Sequence, residues 1–101
     1  MADDSRIVLL FFSSERSGPS RRMESLLAHI ARKERHRLRV VQVDVDERSD
    51  VARKLGVEIA PTLVLVRGGR AIARIAGRAS APRIEQMLEN HLETGEAAAA
   101  A

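Results

Sequence analysis

The pattern of apolar positions divides the chain into alternating segments of strand and helix character. The run "IVLLFF" (Ile7 to Phe12) is long enough for a strand that is buried on both faces. Pro19 suits the first turn of a following helix, because the N–H that proline lacks would be unpaired there. The helix shows one apolar stripe at i, i+3, i+4 and i+7, formed by Met23, Leu26, Leu27 and Ile30.

A second strand and a short helix follow. The valine-rich stretch "LRVVQVDV" (Leu38 to Val45) predicts a strand. Ser49 and Asp50 are candidate N-caps of a short helix that runs to Leu55. Gly56 suits the position after this helix, where a left-handed backbone conformation is common.

The next segment predicts a β-hairpin. "TLVLV" (Thr62 to Val66) is a third strand, and Gly68-Gly69 makes a tight turn into "RAIARIA" (Arg70 to Ala76). Ile72 and Ile75 fall out of strict alternation, so the fourth strand is predicted to contain a bulge.

The last helix completes an α/β domain. Ser80 is its predicted N-cap, Pro82 lies in its first turn, and its apolar face consists of Ile84, Met87, Leu88 and Leu92. The order β-α-β-α-β-β-α predicts a mixed central sheet with helices on both faces. Residues 1–93 are expected to form a single domain, since 101 residues leave no room for a second core. The alanine-rich residues 94–101 have nothing to bury and are expected to be disordered.

The composition excludes several kinds of chemistry. The chain has no cysteine, which rules out disulfides, thiolate metal ligands, cysteine nucleophiles and dithiol exchange within the chain. His29, His36 and His91 lack the spacing of a metal-ligand pair, so we expect neither a metal nor another cofactor. No apolar run approaches the roughly 18 residues of a membrane span, and the start "MADDSR" is not a secretory signal. The expectation is a cytoplasmic protein without a membrane partner.

Positive charge is concentrated in one part of the chain. The segment Arg16–Arg39 contains eight basic and two acidic residues. Such a cluster attracts polyanions in principle. However, the two aromatic residues, Phe11 and Phe12, lie in an apolar strand and offer no stacking platform for nucleic acid. A solvated helix face is the preferred interpretation, and the bias towards arginine and alanine is compatible with a GC-rich bacterial genome.

Four segments, in this order, resemble the thioredoxin family. "RSGPSRRM" stands where the family has Trp-Cys-Gly-Pro-Cys and a basic residue, and "VDVDE" precedes the short helix. "LGVEIAPTLVLVRGG" is similar to the cis-proline loop, strand and hairpin of the family, and "GRASAPRIEQML" to its final glycine and helix. The resemblance runs from Ile7 to Leu92. It implies a minimal thioredoxin-like fold that lacks the first strand and helix of full-length thioredoxins.

The chain departs from the family where the family performs disulfide exchange. By the resemblance, Ser17 and Ser20 stand in place of the two catalytic cysteines. Arg16 replaces the tryptophan, and Phe11 replaces an aspartate that many thioredoxins bury beneath the site. A serine hydroxyl ionises far above neutral pH, and a helix dipole worth about 0.3–1 kcal/mol does not change that. Dithiol chemistry is therefore excluded, and the loss of the supporting residues indicates a natural loss of the redox site rather than engineered serines.

The resemblance also implies a peptide-binding groove that needs no sulfur. In the family the residue before the cis-proline, here Ala60, offers its backbone to an extended substrate, and Pro61 is therefore the candidate cis residue. The alternative is that Pro61 only shapes the turn before a core strand. The implied peptide-binding residues are Arg16, Ser17, Gly18, Pro19, Ala60, Pro61, Thr62, Gly77 and Arg78.

The start of the first helix is a candidate anion site. Free N–H groups and the helix dipole favour negative charge there, and Arg16, Arg21 and Arg22 supply cationic donors nearby. The preferred alternative is that Ser17 or Ser20 only caps the helix and that the arginines point to water.

Three functions follow, in order of preference. The first is a redox-inactive thioredoxin-like domain that binds a protein or peptide, or acts as a scaffold, through the groove by the cis-proline loop. The second is a thiol-disulfide oxidoreductase by homology that lacks catalytic cysteines of its own. The third is anion or nucleic-acid binding through the Arg16–Arg39 cluster. On the first hypothesis the partner is a protein or peptide of unknown identity, and the oligomeric state is open.

Overall fold

The computed structural model describes residues 7–93, and the predicted element order is confirmed there. The predicted disordered tail, residues 94–101, lies outside the described residues. The elements in chain order are β1 (Ile7–Ser13), α1 (Gly18–Lys33), β2 (Leu38–Asp44), α2 (Ser49–Lys54), β3 (Thr62–Arg67), β4 (Arg70–Ala76) and α3 (Ala81–Leu88), which continues into a π-helical segment, Glu89–Glu93.

The four strands form a mixed sheet in the order β2-β1-β3-β4. The crossover through α1 makes β2 parallel to β1, whereas β3 is antiparallel to both β1 and β4. Gly68 and Gly69 connect β3 to β4 with φ angles of 58° and 80°. Two successive positive φ angles are the conformation that favours glycine in a two-residue hairpin turn.

The predicted bulge in the fourth strand is confirmed. Leu65 pairs with Ala73, but the next residue, Val66, pairs with Ala71. Ile72 is therefore the extra residue of β4. Because side chains alternate along a strand, this extra residue places Ile75 on the same side of the sheet as its partner Leu63.

The two sides of the sheet are covered unequally. We call the side under α1 and α3 face A and the side under α2 face B. Face A holds a cluster of 14 buried apolar residues, among them Leu9, Leu65 and Ile84. On face B the buried cluster consists of Phe12, Ala52 and Val64. Helices thus lie on both faces as predicted, with most of the core on face A.

The helix ends confirm two predicted features and correct one. Ser80 is the N-cap of α3, and its Oγ accepts a hydrogen bond from the Arg83 N–H at 3.4 Å. Gly56 follows α2 with φ +70°, as expected for the position after a helix. The prediction that Ser49 or Asp50 caps α2 is wrong.

The N-cap of α2 is Arg48, which makes no side-chain capping bond. The reason lies in the preceding turn. Asp44 accepts hydrogen bonds through its backbone C=O from the Arg48 N–H and through Oδ1 from the Asp46 N–H, both at 2.8 Å. This turn brings the chain into helical conformation at Ser49, so that Ser49 and Asp50 already belong to the first turn.

Candidate functional site

Hydrogen bonds hold the loop between β1 and α1 in place. Ser14 Oγ donates to Asp46 Oδ2 at 2.8 Å and accepts from the Arg16 N–H at 3.2 Å. The Ser17 N–H donates to the Ser14 carbonyl at 3.0 Å. The start of α1 is therefore fixed relative to the end of β2.

Ser17 connects the start of α1 to the loop before β3. It is the N-cap of α1, and its Oγ accepts a hydrogen bond from the Ser20 N–H at 3.1 Å. The same hydroxyl donates to the Ala60 carbonyl at 3.3 Å. The capping role preferred for Ser17 is confirmed, and the second bond adds a bridge between two segments that are 43 residues apart.

The loop before β3 has two buried residues and a cis peptide bond. The Ala60–Pro61 bond is cis, and both Pro61 and Thr62 are buried. Thr62 Oγ1 donates to the Ile59 carbonyl at 2.8 Å. The Gly77 N–H donates to the Pro61 carbonyl at 2.8 Å, which extends the β3–β4 ladder by one step. The side chains of Pro61 and Thr62 shape the loop and offer little surface to a partner.

Ile59 is a residue that the sequence interpretation missed. The residue is 53% exposed, and among the large apolar residues of the range 7–93 it is the one that is not at least partly buried. It lies next to Ala60, whose N–H makes no hydrogen bond to the described residues. One sequence signal could have identified it: Ile59 is an apolar residue between Glu58 and Ala60, and it belongs to no strand or helix pattern.

We call the surface formed by Arg16–Pro19 and Ile59–Pro61 the cis-proline groove. Of its predicted members, Arg16 and Gly18 are exposed, and Ser17, Pro19 and Ala60 are partly exposed. The Ser17–Ala60 hydrogen bond joins the two sides of the groove. The predicted rim residues Gly77 and Arg78 follow β4, with Gly77 bonded to Pro61 and Arg78 exposed.

The second serine of the motif lies in a different environment. Ser20 is fully buried, and its Oγ has no hydrogen-bond partner among residues 7–93. A buried hydroxyl without a partner is destabilising. A thiol tolerates such a site better, because free cysteine behaves as a small apolar residue with a weak donor. The position therefore still suits the cysteine of the family motif better than the serine it holds.

The candidate anion site at the start of α1 has little backbone to offer. Pro19 has no N–H, the Ser20 N–H bonds to Ser17 Oγ, and the Arg21 N–H bonds to the Ser17 carbonyl at 3.1 Å. In the first turn of α1, the Gly18 N–H is the one backbone donor that makes no hydrogen bond to residues 7–93. Arg16, Arg21 and Arg22 are exposed.

An open depression of about 350 Å³ lies beside this helix start and is lined by Gly18, Arg21, Arg22 and Glu24. The Glu24 carboxylate in its wall opposes an anion. Within residues 7–93, no cluster of three or more histidine, aspartate or glutamate residues is suited to hold a metal ion. In the same range, no helix has the length and apolar character needed to span a membrane.

Comparison with known proteins identifies the family. The thioredoxin family model matches residues 1–90. The chain belongs to the thioredoxin family. It is 32% identical over 85 residues to thioredoxin 1 of Nostoc sp.. The aligned region covers 84% of this chain and 79% of that protein. It is 39% identical over 72 residues to thioredoxin H2-1 of rice, Oryza sativa. That aligned region covers 71% of this chain and 51% of the rice protein.

The solved structures agree with this assignment. The thioredoxin NaTrxh of Nicotiana alata superposes with a TM-score of 0.81 at 30% identity, over 87% of this chain and 75% of that chain. The thioredoxin-like α/β fold predicted from the sequence is therefore confirmed. Within this family the chain is one that contains no cysteine.

Proposed function

We propose that this thioredoxin-family chain is a redox-inactive binding domain that holds an extended protein segment in the cis-proline groove. The observation that carries the proposal is the pairing of an exposed apolar residue, Ile59, with the adjacent N–H of Ala60, which makes no hydrogen bond to residues 7–93. The side chain offers an apolar contact and the N–H offers a main-chain hydrogen bond to the same bound segment.

The groove supplies the two kinds of contact that strand addition uses. The Ala60 N–H is a donor, and the Ala60 carbonyl, which already accepts from Ser17, has a second lone pair. Main-chain hydrogen bonds of this kind give affinity, and side-chain pockets give specificity. Arg16 and Arg78 at the rim favour a segment that carries acidic residues.

Ile59 provides an apolar anchor for such a segment. Full burial of an isoleucine side chain is worth about 1.5–3 kcal/mol. Since roughly half of the Ile59 side chain is still exposed, binding there would contribute on the order of 1 kcal/mol. The expected complexes are reversible, because Ser17 and Ser20 form no covalent bond with a partner thiol.

The binding proposal is tested with peptides selected on the protein itself. Random dodecapeptides are selected by phage display on the wild-type chain, and their dissociation constants are measured by fluorescence anisotropy. We expect Ile59→Ser to weaken binding about fivefold to tenfold, since each 1.4 kcal/mol is a factor of ten. Amide chemical shifts in a peptide titration should change most at Ala60.

The matched control is Ala71→Ser, which changes an exposed residue of β4 at the hairpin end of the sheet. This variant should bind as tightly as the wild type. Peptides that bind Ile59→Ser as well as they bind the wild type, with shift changes elsewhere, would rule out the cis-proline groove as the binding site.

The redox part of the proposal is tested separately. With dithiothreitol as the electron source, the wild-type chain should reduce insulin no faster than a control without protein, because disulfide exchange requires sulfur on both partners. A rate above that control would show that the chain supports thiol chemistry and would overturn redox inactivity. The peptide-binding measurement would not be affected by that result.

A further inference from the structure

The two edges of the sheet differ in how they are protected. β4 contains the bulge at Ile72 and exposes Arg70 and Arg74. Bulges and charges are features that prevent a sheet edge from pairing with another strand. β2 pairs with β1 in unbroken register over seven residues, has neither a bulge nor a proline, and exposes one basic residue, Arg39. The β2 edge is therefore the one suited to pairing.

The outer side of β2 presents free backbone groups. The Val45 N–H donates to the Ser13 carbonyl at 2.9 Å, in continuation of the parallel ladder with β1. In a parallel ladder alternate residues bond to the neighbouring strand. Val43 and Val41 thus bond to β1, whereas Val40 and Gln42 direct their N–H and C=O groups outward. No strand within residues 7–93 lies on that side.

Both faces beside this edge are largely apolar. On face A, a cavity of about 180 Å³ lies between α1 and β2, with a wall that is apolar at Leu27, Ala31 and Val40 and polar at Glu24 and Gln42. On face B, Val41 and Val43 are only partly buried. A strand that joined this edge would be covered on both faces and would need apolar side chains on both.

β2 itself has this character. Leu38 and Val40 point to face A, and Val41 and Val43 point to face B. We propose that β2 pairs antiparallel with β2 of a second copy of this chain, about a two-fold axis at Val41, so that two four-stranded sheets join into one. The outward residues Val40 and Gln42 then lie opposite each other and exchange hydrogen bonds, as an antiparallel ladder requires.

The charges around β2 fit this arrangement. The chain is basic where β2 begins, with Arg35 and Arg39, and acidic where β2 ends, with Asp44, Asp46 and Glu47. In an antiparallel pair the basic start of each strand lies beside the acidic end of the other. A parallel pair would place like charges together. Charge therefore selects the two-fold arrangement.

The oligomeric state of the chain tests this inference. Sedimentation velocity over a wide dilution series should show a dimer of twice 11.1 kDa that dissociates on dilution. Val41→Glu places two carboxylates at the axis and should weaken the dimer at least about tenfold, since like charges directly opposite across strands are destabilising. Val66→Glu is the matched control, because Val66 is also half-buried on face B but lies in β3.

A second variant covers the case that Val41→Glu does not fold. Arg39 is exposed, so Arg39→Glu should leave the fold intact. It turns the attraction at both ends of the interface into repulsion, so the dimer should weaken, and added salt should partly restore it. The interface is distinct from the cis-proline groove, and peptide binding should therefore persist in both variants.

Three results would overturn the inference. The first is a monomer at every concentration. The second is a dimer that neither variant weakens, which would place the interface elsewhere. The third is a monomer whose Val40 and Gln42 amides are protected from hydrogen exchange, which would mean that the chain covers its own edge.

Discussion

Face A and face B belong to one sheet but differ in what they contribute. On face A two helices bury the side chains of alternate residues of β1 and β3, such as Leu9 and Leu65, completely. On face B a helix of six residues covers one end, and Leu10 and Val66 are only partly buried. A helix this short depends on packing for its stability. Face A therefore holds the fold together, whereas face B leaves some apolar surface available for contacts.

The largest expected effect comes from adjacent residues of β3 that point to opposite faces. Leu65→Ala on face A should reduce the free energy of unfolding by about 2–5 kcal/mol, because it leaves a cavity in a closed core. Val66→Ala on face B should reduce it by about 1 kcal/mol, since Val66 is only partly buried. Urea denaturation followed by far-ultraviolet circular dichroism measures both, as the chain has no tryptophan or tyrosine for fluorescence.

The shared position in β3 makes each variant a control for the other, because both remove aliphatic carbons from neighbouring sites of the same strand. Similar losses of stability in Leu65→Ala and Val66→Ala would mean that face B is packed as tightly as face A. The two faces would then contribute equally to the stability of the fold.

The next effect concerns the helix starts on the two faces. Ser17→Ala removes the cap of α1 and the bridge to Ala60, and should cost about 1–2 kcal/mol. On face B, Arg48 caps α2 without a side-chain bond. Arg48→Asn supplies a good capping residue and should raise the free energy of unfolding by about 0.5–1 kcal/mol.

The two variants are expected to change the free energy of unfolding in opposite directions. Both changes are measured as shifts of the urea midpoint at an unchanged m-value. A matched control for Ser17→Ala is Ser80→Ala, which removes the cap of α3 but no bridge to a loop. If Ser17→Ala costs no more than Ser80→Ala, the hydrogen bond to Ala60 contributes nothing. A loss of stability in Arg48→Asn would show that α2 is already well capped.

The fold was predictable because local signals and hydrophobic periods agreed along the chain. The apolar run of β1, the stripe of α1 and the glycine pair of the hairpin each determine one element. Even the bulge at Ile72 could be predicted, since Ile75 reaches the core only if one residue is inserted. The prediction failed at the start of α2, where the hydrogen bonds of Asp44 decided which residue begins the helix.

The candidate site was predictable only in part. The resemblance placed Ser17 and Ala60 among the residues of one peptide-binding groove, but it did not predict the hydrogen bond between them. Ile59 was missed because exposure of one loop side chain depends on how the whole loop folds. Thr62, which the resemblance places among the peptide-binding residues, has a buried side chain bonded to the Ile59 carbonyl, because strand β3 begins there and turns it inward.

The smallest effect concerns a buried hydroxyl under face A that lacks a hydrogen-bond partner among residues 7–93. Ser20 of α1 is fully buried and its hydroxyl has no partner in the described chain, whereas Ser13, also buried, accepts a hydrogen bond from Gln42 Nε2 at 2.9 Å. Ser20→Ala should leave stability unchanged or raise it by up to about 1 kcal/mol, because no hydrogen bond is lost and a polar group leaves the interior. Ser13→Ala, the matched control, should lower it by about 0.5–1.5 kcal/mol. If Ser20→Ala is as destabilising as Ser13→Ala in urea, the Ser20 hydroxyl has a hydrogen-bond partner in solution.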